Sequence, residues 1–393
     1  MSNKILTLIL LLCTFSFLRC IDEFTPAISE SDFDFLIVDG QITNAVGPYY
    51  VRLSRSTPIN PTSKSPVPGA NVQIEEEGTI YSLTDQGDGL YLTDGLQGKP
   101  SLRYRLLIEL NGSQYESSWQ TLRPSPVIDN IYYEVDIIGT EDPDFPVRGI
   151  QWFVESHGEA SGARYYRYEW DETFQTQVKW ATCCNYLGND IIEVIFPPED
   201  QHNTCWITNP SVSIDLFSTT SLSENIVSAH PLSFVKDGER LSVRYSLLVR
   251  QYALEEEEYQ FWNALKETNV EGGNLFDKPP ASVIGNIKNK SDPDMTVLGY
   301  FSANGVSEQR VYVANDELPE GFGTFIIPCQ LDSILKGQSN YEEFIFSQID
   351  GGKIFFDLIR TEGEDILGVT LADPICVDCV FRGGDAQKPD FWP

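Results

Sequence analysis

The first residue whose position predicts a reaction is Cys20, whose thiol follows a long apolar run. Lys4 supplies a positive charge, and residues 5–18 are almost all apolar. A helix of this length would span about 21 Å, too short for a hydrocarbon core of about 30 Å, so the run is typical of an export signal. The spacing predicts a lipoprotein signal peptide over residues 1–19. The new N-terminal thiol of Cys20 would then carry a lipid anchor with acyl chains such as palmitate.

Arg19 departs from the small residue that usually precedes a lipidated cysteine. Ordinary secretion and an uncleaved anchor therefore stay open as alternatives, although the short apolar run disfavours the second. Residues 20–31 lack strong periodicity and predict a tether. The body that follows is expected to work outside the cytoplasm.

Six further cysteines could form disulfides there: Cys183, Cys184, Cys205, Cys329, Cys376 and Cys379. An even number in an exported chain favours disulfides over a metal, so a zinc knuckle at the last pair is disfavoured. We expect Cys205 to pair with Cys183 or Cys184, and Cys329 to pair with Cys376 or Cys379. Adjacent cysteines can bond to each other only with strain, so Cys183 and Cys184 are predicted to face different partners.

Side chains that could act as acids, bases or nucleophiles are scattered. No HExxH motif, nucleophile elbow or close histidine pair accompanies the three histidines, His157, His202 and His230. Glycoside hydrolysis needs paired carboxylates, which could come from Glu169, Asp171 and Glu172 beside Trp170. In so acidic a chain we attribute this grouping to coincidence. We therefore predict that the chain is not an enzyme and has no metal and no cofactor apart from the lipid on Cys20.

Two other groups of residues could bind ligands. A Gly-rich stretch carries possible calcium ligands, Asp85, Asp88 and Asp94, but it lacks the EF-hand pattern and predicts an ordinary Asp/Gly turn. The seven tryptophans could form stacking platforms for sugars, yet most are predicted to lie in the core. They are Trp119, Trp152, Trp170, Trp180, Trp206, Trp262 and Trp392.

Composition predicts a folded, acidic protein. The 393 residues are 41% hydrophobic, which suffices for two or three domains with real cores. The chain has 58 acidic against 27 basic residues, a net charge of −31. Such a charge repels phosphate backbones, so we predict no nucleic-acid partner.

The elements that must position these residues are predicted to be mainly β. In the clearest strand, residues 102–110, every second side chain is apolar, and Asn111-Gly112 then favours a tight turn. Residues 32–121 accordingly predict a small β-sandwich. Pro68-Gly-Ala-Asn-Val72, Thr84-Asp-Gln-Gly-Asp-Gly-Leu-Tyr91 and Tyr104-Arg-Leu106 resemble the carboxypeptidase-regulatory-like, transthyretin-type sandwich, an Ig-like module without catalytic activity.

Two prolines in Leu122-Arg-Pro-Ser-Pro126 predict an extended connector to a larger, disulfide-containing β domain over residues 127–393. One amphipathic helix is predicted near residues 253–267, with the run Glu255 to Glu258 as its solvated first turns. Strands are predicted at 296–301 and 309–313, with Asn304-Gly305 as a hairpin turn between them.

This second part carries a further resemblance. Its motifs include Gln251-Tyr-Ala-Leu254, Tyr259-Gln-Phe-Trp262, Val297-Leu-Gly-Tyr-Phe301 and the closing Lys388-Pro-Asp-Phe-Trp392. Together they resemble an uncharacterised family of Bacteroidota outer-membrane lipoproteins with domain of unknown function 4249. Asp22-Glu23 is similar to the export signal that sends such lipoproteins to the outer face.

The resemblance implies a function in binding. Members of that family are often encoded beside TonB-dependent transporters, which implies a lipid-anchored accessory subunit on the exterior of the outer membrane. We expect such a subunit to help capture a nutrient or a polypeptide. An independent adhesin or glycan-binding protein is the alternative, and it predicts exposed coplanar aromatic rings on the second domain.

Overall fold

The computed structural model describes residues 35–56, 65–139, 142, 144–195, 202–271, 283–325, 327–337 and 340–393. The predicted signal peptide, Cys20 and the tether lie outside the described residues. Within them the chain is mainly β, as the sequence predicts.

The strands, in chain order, are β1 (Leu36–Thr43), β2 (Tyr50–Arg55), β3 (Ser65–Pro66), β4 (Asn71–Glu76), β5 (Thr79–Ser82), β6 (Thr84–Asp85), β7 (Leu90–Leu92), β8 (Arg103–Leu110), β9 (Ser113–Ser117), β10 (Gln120–Thr121), β11 (Ile128–Ile138), β12 (Val147–His157), β13 (Tyr165–Gln177), β14 (Cys184–Gly188), β15 (Ile191–Val194), β16 (Thr204–Pro210), β17 (Asp215–Ser218), β18 (Ile226–Lys236), β19 (Arg244–Leu254), β20 (Ile287–Asn289), β21 (Val297–Ala314), β22 (Leu331–Leu335), β23 (Ile354–Arg360) and β24 (Ile366–Ala372). The α-helices of the described residues are α1 (Glu256–Glu271), α2 (Tyr341–Asp350) and α3 (Pro374–Val377).

Two sheets enclose the first apolar core. One contains β21-β1-β2-β7-β6 and the other contains β20-β9-β8-β4-β5. β8 alternates as predicted, because Tyr104, Leu106 and Ile108 point into the core while the residues between them are more exposed. Asn111 and Gly112 have positive φ values of 50° and 80° at the turn into β9. The first part of the chain is therefore the predicted two-layer β structure.

β21 joins this sandwich to the next one. Its first eight residues pair in parallel with β1, and its remaining residues pair antiparallel with β19. The predicted hairpin turn at Asn304-Gly305 is therefore wrong. Buried Asn304 is held in the strand because its side chain donates to the Ala253 carbonyl and to Glu258. A Cβ on Gly305 would lie 2.2 Å from the carbonyl oxygen of Arg123, so glycine is needed here for close packing rather than for a turn.

The predicted first domain, residues 32–121, is incomplete. β20 pairs with β9 and β21 pairs with β1, so two strands from the second half of the chain complete the first sandwich. The predicted connector packs against β21, since the Gly305 amide donates to the Arg123 carbonyl at 2.9 Å. The two sandwiches are consequently fused through one continuous strand.

The second sandwich places β16-β13-β19-β21 opposite β11-β12-β18. Its core contains Trp152, Tyr166, Tyr168 and Tyr245, which are almost completely buried. All these strands lie in the range 127–393, which the sequence predicts as the larger β domain.

A third apolar core lies between the β22-β24-β23 sheet, helix α2 and the β14-β15 hairpin. It includes Ile334, Ile345, Val369 and Leu371. The sequence predicts residues 127–393 as one domain and does not predict α2. The structure divides this range between two cores.

The predicted amphipathic helix is present as α1 and lies on the outer face of the shared sheet. Phe261 packs against Tyr300 of β21 with ring centres 4.9 Å apart, and Tyr259 packs against Tyr165 of β13 at the same distance. The helix therefore covers the region where the two sandwiches meet.

Candidate functional site

Disulfides connect Cys183 to Cys184, Cys205 to Cys379 and Cys329 to Cys376. The prediction that Cys329 pairs with a member of the terminal pair is confirmed. The predicted pairing of Cys205 with Cys183 or Cys184 is wrong, and so is the prediction that these two adjacent cysteines face different partners. The reason is that the C-terminal segment packs beside β16, which carries Cys205, whereas Cys184 belongs to the third core.

The C-terminal residues pack on the second sandwich. The backbones of Trp206 and Asp385 exchange two hydrogen bonds of 2.9 Å. Trp392 is 5% exposed and lies edge-on to the rings of Trp206 and Tyr312. The Arg310 guanidinium lies 3.7 Å from the centre of the Phe391 ring, a cation–π contact. The closing sequence motif therefore has a packing role.

Each histidine meets one aspartate: His157 with Asp129 (2.6 Å), His202 with Asp378 (3.2 Å) and His230 with Asp215 (3.0 Å). A carboxylate on one ring nitrogen fixes the orientation of the imidazole. His230 is also held between the rings of Tyr168 and Phe217. His230 is thus a core residue, while His157 and His202 are more exposed.

Glu169, Asp171 and Glu172 do not converge on one cleft. Side chains alternate along β13, so the first two lie on one face of the sheet and Glu172 on the other. Each meets its own arginine: Glu169 with Arg167 (2.9 Å), Asp171 with Arg250 (2.6 Å) and Glu172 with Arg240 (3.2 Å). The interpretation of this grouping as coincidence agrees with the structure.

Asp85 has the role of a turn residue. Its carboxylate accepts hydrogen bonds of 2.8 Å from the amides of Gly69 and Gly87, and these bonds lower its pKa. Asp88 follows with a positive φ of 49°. This is the Asp/Gly turn that the sequence predicts.

The tryptophans are all buried or half-buried. Trp152 lies in the second core, and Trp119 packs against the guanidinium of Arg105 at 4.7 Å. Three of the seven, Trp152, Trp170 and Trp392, are buried and the other four are half-buried, so the prediction that most lie in the core is confirmed only in part.

One acidic side chain that the sequence assigns to solvent is completely enclosed. Glu258, in the first turn of α1, is 1% exposed. Its carboxylate accepts hydrogen bonds from Ser302 (2.7 Å), Asn304 (2.7 Å) and Trp262 (3.2 Å). Burial raises its pKa, while the charge of Arg167 and the three donors oppose this shift. The prediction of a fully solvated run was wrong because α1 lies on the sheet, which forces one position of each turn to face β21.

Arg167 of β13 completes this buried cluster. It is 7% exposed, and its guanidinium lies 4.3 Å from the Trp262 ring centre and 4.8 Å from that of Tyr252. One nitrogen pairs with Glu169, while Nε has no hydrogen-bond partner among the described residues. We name Arg167, Glu258, Trp262, Ser302 and Asn304 the junction cluster. Sequence analysis missed it because its members come from three distant segments and form no motif.

Tyr50 of β2 is half-exposed and lies close enough to Arg167 and Glu169 for their charges to act on its phenol. The negative charge of Asp39 is the main reason that the pKa of Tyr50 is raised, followed by partial burial and by Glu169. The Arg167 guanidinium and the Glu258 carboxylate are themselves buried, so the junction cluster has a structural role at the seam between the sandwiches.

Among the described residues there is no group of three or more His, Cys, Asp or Glu side chains placed to hold a metal ion. No helix in that part of the chain is both long and apolar enough to span a bilayer.

These features define a class: a β protein of two fused sandwiches with a buried charged cluster at their junction, a third apolar core, and a disulfide that ties the C-terminal segment to the second sandwich. The family model described as "Domain of unknown function (DUF4249)" matches residues 21–310, about three quarters of the sequence. The chain therefore belongs to the DUF4249 family. The match covers both sandwiches and α1 and ends within β21. No curated protein matches the sequence.

Proposed function

We propose that this chain is a lipoprotein on the exterior of the outer membrane and a non-enzymatic accessory subunit of a TonB-dependent transporter. In this role it binds a nutrient or a polypeptide for the transporter. A lipid on Cys20 holds the body at the membrane. A Bacteroidota origin and a transthyretin-type first sandwich belong to the same proposal.

The observation that carries the proposal is the N-terminal sequence, in which a charged Lys4 and a short apolar run precede Cys20. The family match begins at residue 21, which supports a division between a leader and a body at this cysteine. The three disulfides support export, because such bonds persist in oxidising compartments.

A binding role is supported by how the acidic side chains are used. The carboxylates that hydrolysis would need pair separately with arginines, so they do not form a catalytic pair.

Glycan binding is the second candidate, and one observation favours it. Tyr132 of β11 and Phe153 of β12 stack at 5.4 Å with an angle of 22° between their planes. Both rings are half-buried on the second sandwich and their planes are nearly parallel, so the pair supplies partly accessible aromatic surface on which a sugar ring can pack.

Affinity purification from detergent-solubilised outer membranes tests the transporter proposal. The tag belongs in the exposed turn at Gly363, because Trp392 near the C-terminus is buried. We expect a TonB-dependent transporter to co-purify in stoichiometric amounts. A matched preparation with the same tag on an unrelated lipoprotein should not contain it. Recovery of the tagged protein without a transporter would refute this proposal and would favour the alternative, an independent adhesin or glycan-binding protein.

A further inference from the structure

The far half of β11 extends beyond the core of the second sandwich. Ile131 is buried, whereas Val135 is 45% exposed and Ile137 is 61% exposed on the same side of the strand. Glu134 and Asp136 alternate with them and are exposed on the opposite side. Residues 134–138, here named the β11 arm, therefore combine an apolar and an acidic face.

The backbone edge of the β11 arm is unpaired within the described residues. β11 lies at the end of its sheet, in the order β11-β12-β18, and its partner along the arm is β12. The Ile137 amide donates to the Asp136 carboxylate at 2.7 Å, so it points away from β12 toward the free edge. Because the direction alternates, the amide of Val135 faces the same way.

An exposed edge with apolar side chains favours the addition of another strand. Two copies of this chain joined edge to edge would bring their Glu134 and Asp136 side chains together, and like charges on neighbouring strands destabilise the pairing. The net charge of −31 adds repulsion between copies. The same carboxylates would attract a strand with lysine or arginine on one face.

We propose that the β11 arm binds an extended segment of a partner protein as an added β-strand. The segment carries basic residues toward Glu134 and Asp136 and apolar residues toward Val135 and Ile137. Main-chain hydrogen bonds to the free edge supply affinity, and the two faces supply selectivity. The inference does not depend on whether that partner is a transporter.

The test uses the folded chain without its signal peptide and two eight-residue peptides, one alternating valine with lysine and one alternating valine with glutamate. We expect the lysine peptide to bind about ten-fold more tightly than the glutamate peptide and to slow amide hydrogen exchange at residues 134–138. The double variant Glu134→Lys/Asp136→Lys should reverse this preference. A matched double variant, Glu362→Lys/Glu364→Lys, changes the net charge equally at another exposed site and should keep the wild-type preference.

Val135→Pro removes one free-edge amide and should abolish protection by the lysine peptide while the circular dichroism of the protein stays unchanged. Loss of the preference in the Glu362/Glu364 variant, or protection away from the arm, would overturn the proposal, as would failure of both peptides to bind. Sedimentation that shows a dimer of the free protein, dissociated by Ile137→Lys, would also overturn it in favour of a second copy as the occupant.

Discussion

Glu258 stabilises the contact between α1 and the shared sheet because three separate donors converge on its carboxylate. Glu258→Ala would leave buried donors and the Arg167 guanidinium without this acceptor. We expect a loss of about 2–5 kcal/mol in the free energy of unfolding, measured by urea denaturation. Glu257→Ala is the matched control, since Glu257 is exposed in the same turn and its loss should change stability by less than about 0.5 kcal/mol. Equal effects of the two substitutions would refute the assigned role.

The raised pKa of Glu258 predicts a pH dependence of stability. When the pKa of a carboxyl group is higher in the folded state than its ordinary value of 4.5, the folded state favours the protonated form of that group. Its stabilising contribution is complete below pH 4.5 and is lost as the pH rises through the folded-state pKa. Glu258→Gln cannot ionise, so its stability relative to the wild type should improve between pH 4 and pH 7. Paired urea titrations at each pH isolate this group from the other acids, and a constant or declining difference would contradict the prediction.

Single residues were predictable where neighbours in sequence decide their environment. The turn at Asn111-Gly112 and the turn around Asp85 follow from local backbone chemistry, and the structure has both. Glu258 was not predictable, because its burial depends on Ser302 and Asn304 of a strand far along the chain. The pairing of Cys205 with Cys379 likewise depends on where the C-terminal segment packs.

Among the elements, β21 has the largest structural role because both sandwiches use it. Gly305→Ala should therefore weaken both, since the new Cβ would meet the Arg123 carbonyl and lie 2.6 Å from the Ser125 amide nitrogen. We expect Gly305→Ala to lower the free energy of unfolding by about 1–3 kcal/mol and to speed amide hydrogen exchange in both β1 and β19.

Gly139→Ala is the control for that substitution, because no described residue other than its chain neighbours has an atom within 4 Å of the added Cβ. It should leave hydrogen exchange in both strands unchanged. If Gly305→Ala accelerates exchange in only one of β1 and β19, the two sandwiches do not depend jointly on β21.

The existence of the elements was more predictable than their connections. The alternation of apolar and polar residues identified β8, and the helical spacing of apolar residues identified α1. Both were predictable because each periodicity is visible within a short stretch of sequence. Asn304-Gly305 was misassigned since the same dipeptide that favours a hairpin also suits a tightly packed strand. Parallel pairing of β1 with β21 joins residues more than two hundred positions apart, which no sequence window contains.

At the scale of the whole molecule, we expect the three disulfides to contribute unequally to the free energy of unfolding. The bond between Cys205 and Cys379 closes 174 residues, that between Cys329 and Cys376 closes 47, and the adjacent pair closes almost none. Replacing each pair with alanine should lower the free energy of unfolding by about 5, about 4 and below about 1 kcal/mol respectively. The order follows because a disulfide that closes a longer loop restricts the unfolded chain more. Urea denaturation under non-reducing conditions measures this order, and a larger loss at Cys183–Cys184 would contradict it.

In the proposed lipoprotein, the position of the whole body depends on the thiol of Cys20, which lies outside the described residues. Cys20→Ser should move the protein from membrane to soluble fractions, since a hydroxyl at this position does not take the thioether-linked lipid. The matched control is Cys13→Ser, which changes a cysteine inside the apolar run and should leave the protein in the membrane fraction. The urea midpoint of the released protein should equal that of the detergent-extracted wild type, because the described cores begin at Leu36. Continued membrane attachment of Cys20→Ser would show that another segment holds the protein there, and the lipoprotein proposal would then be wrong.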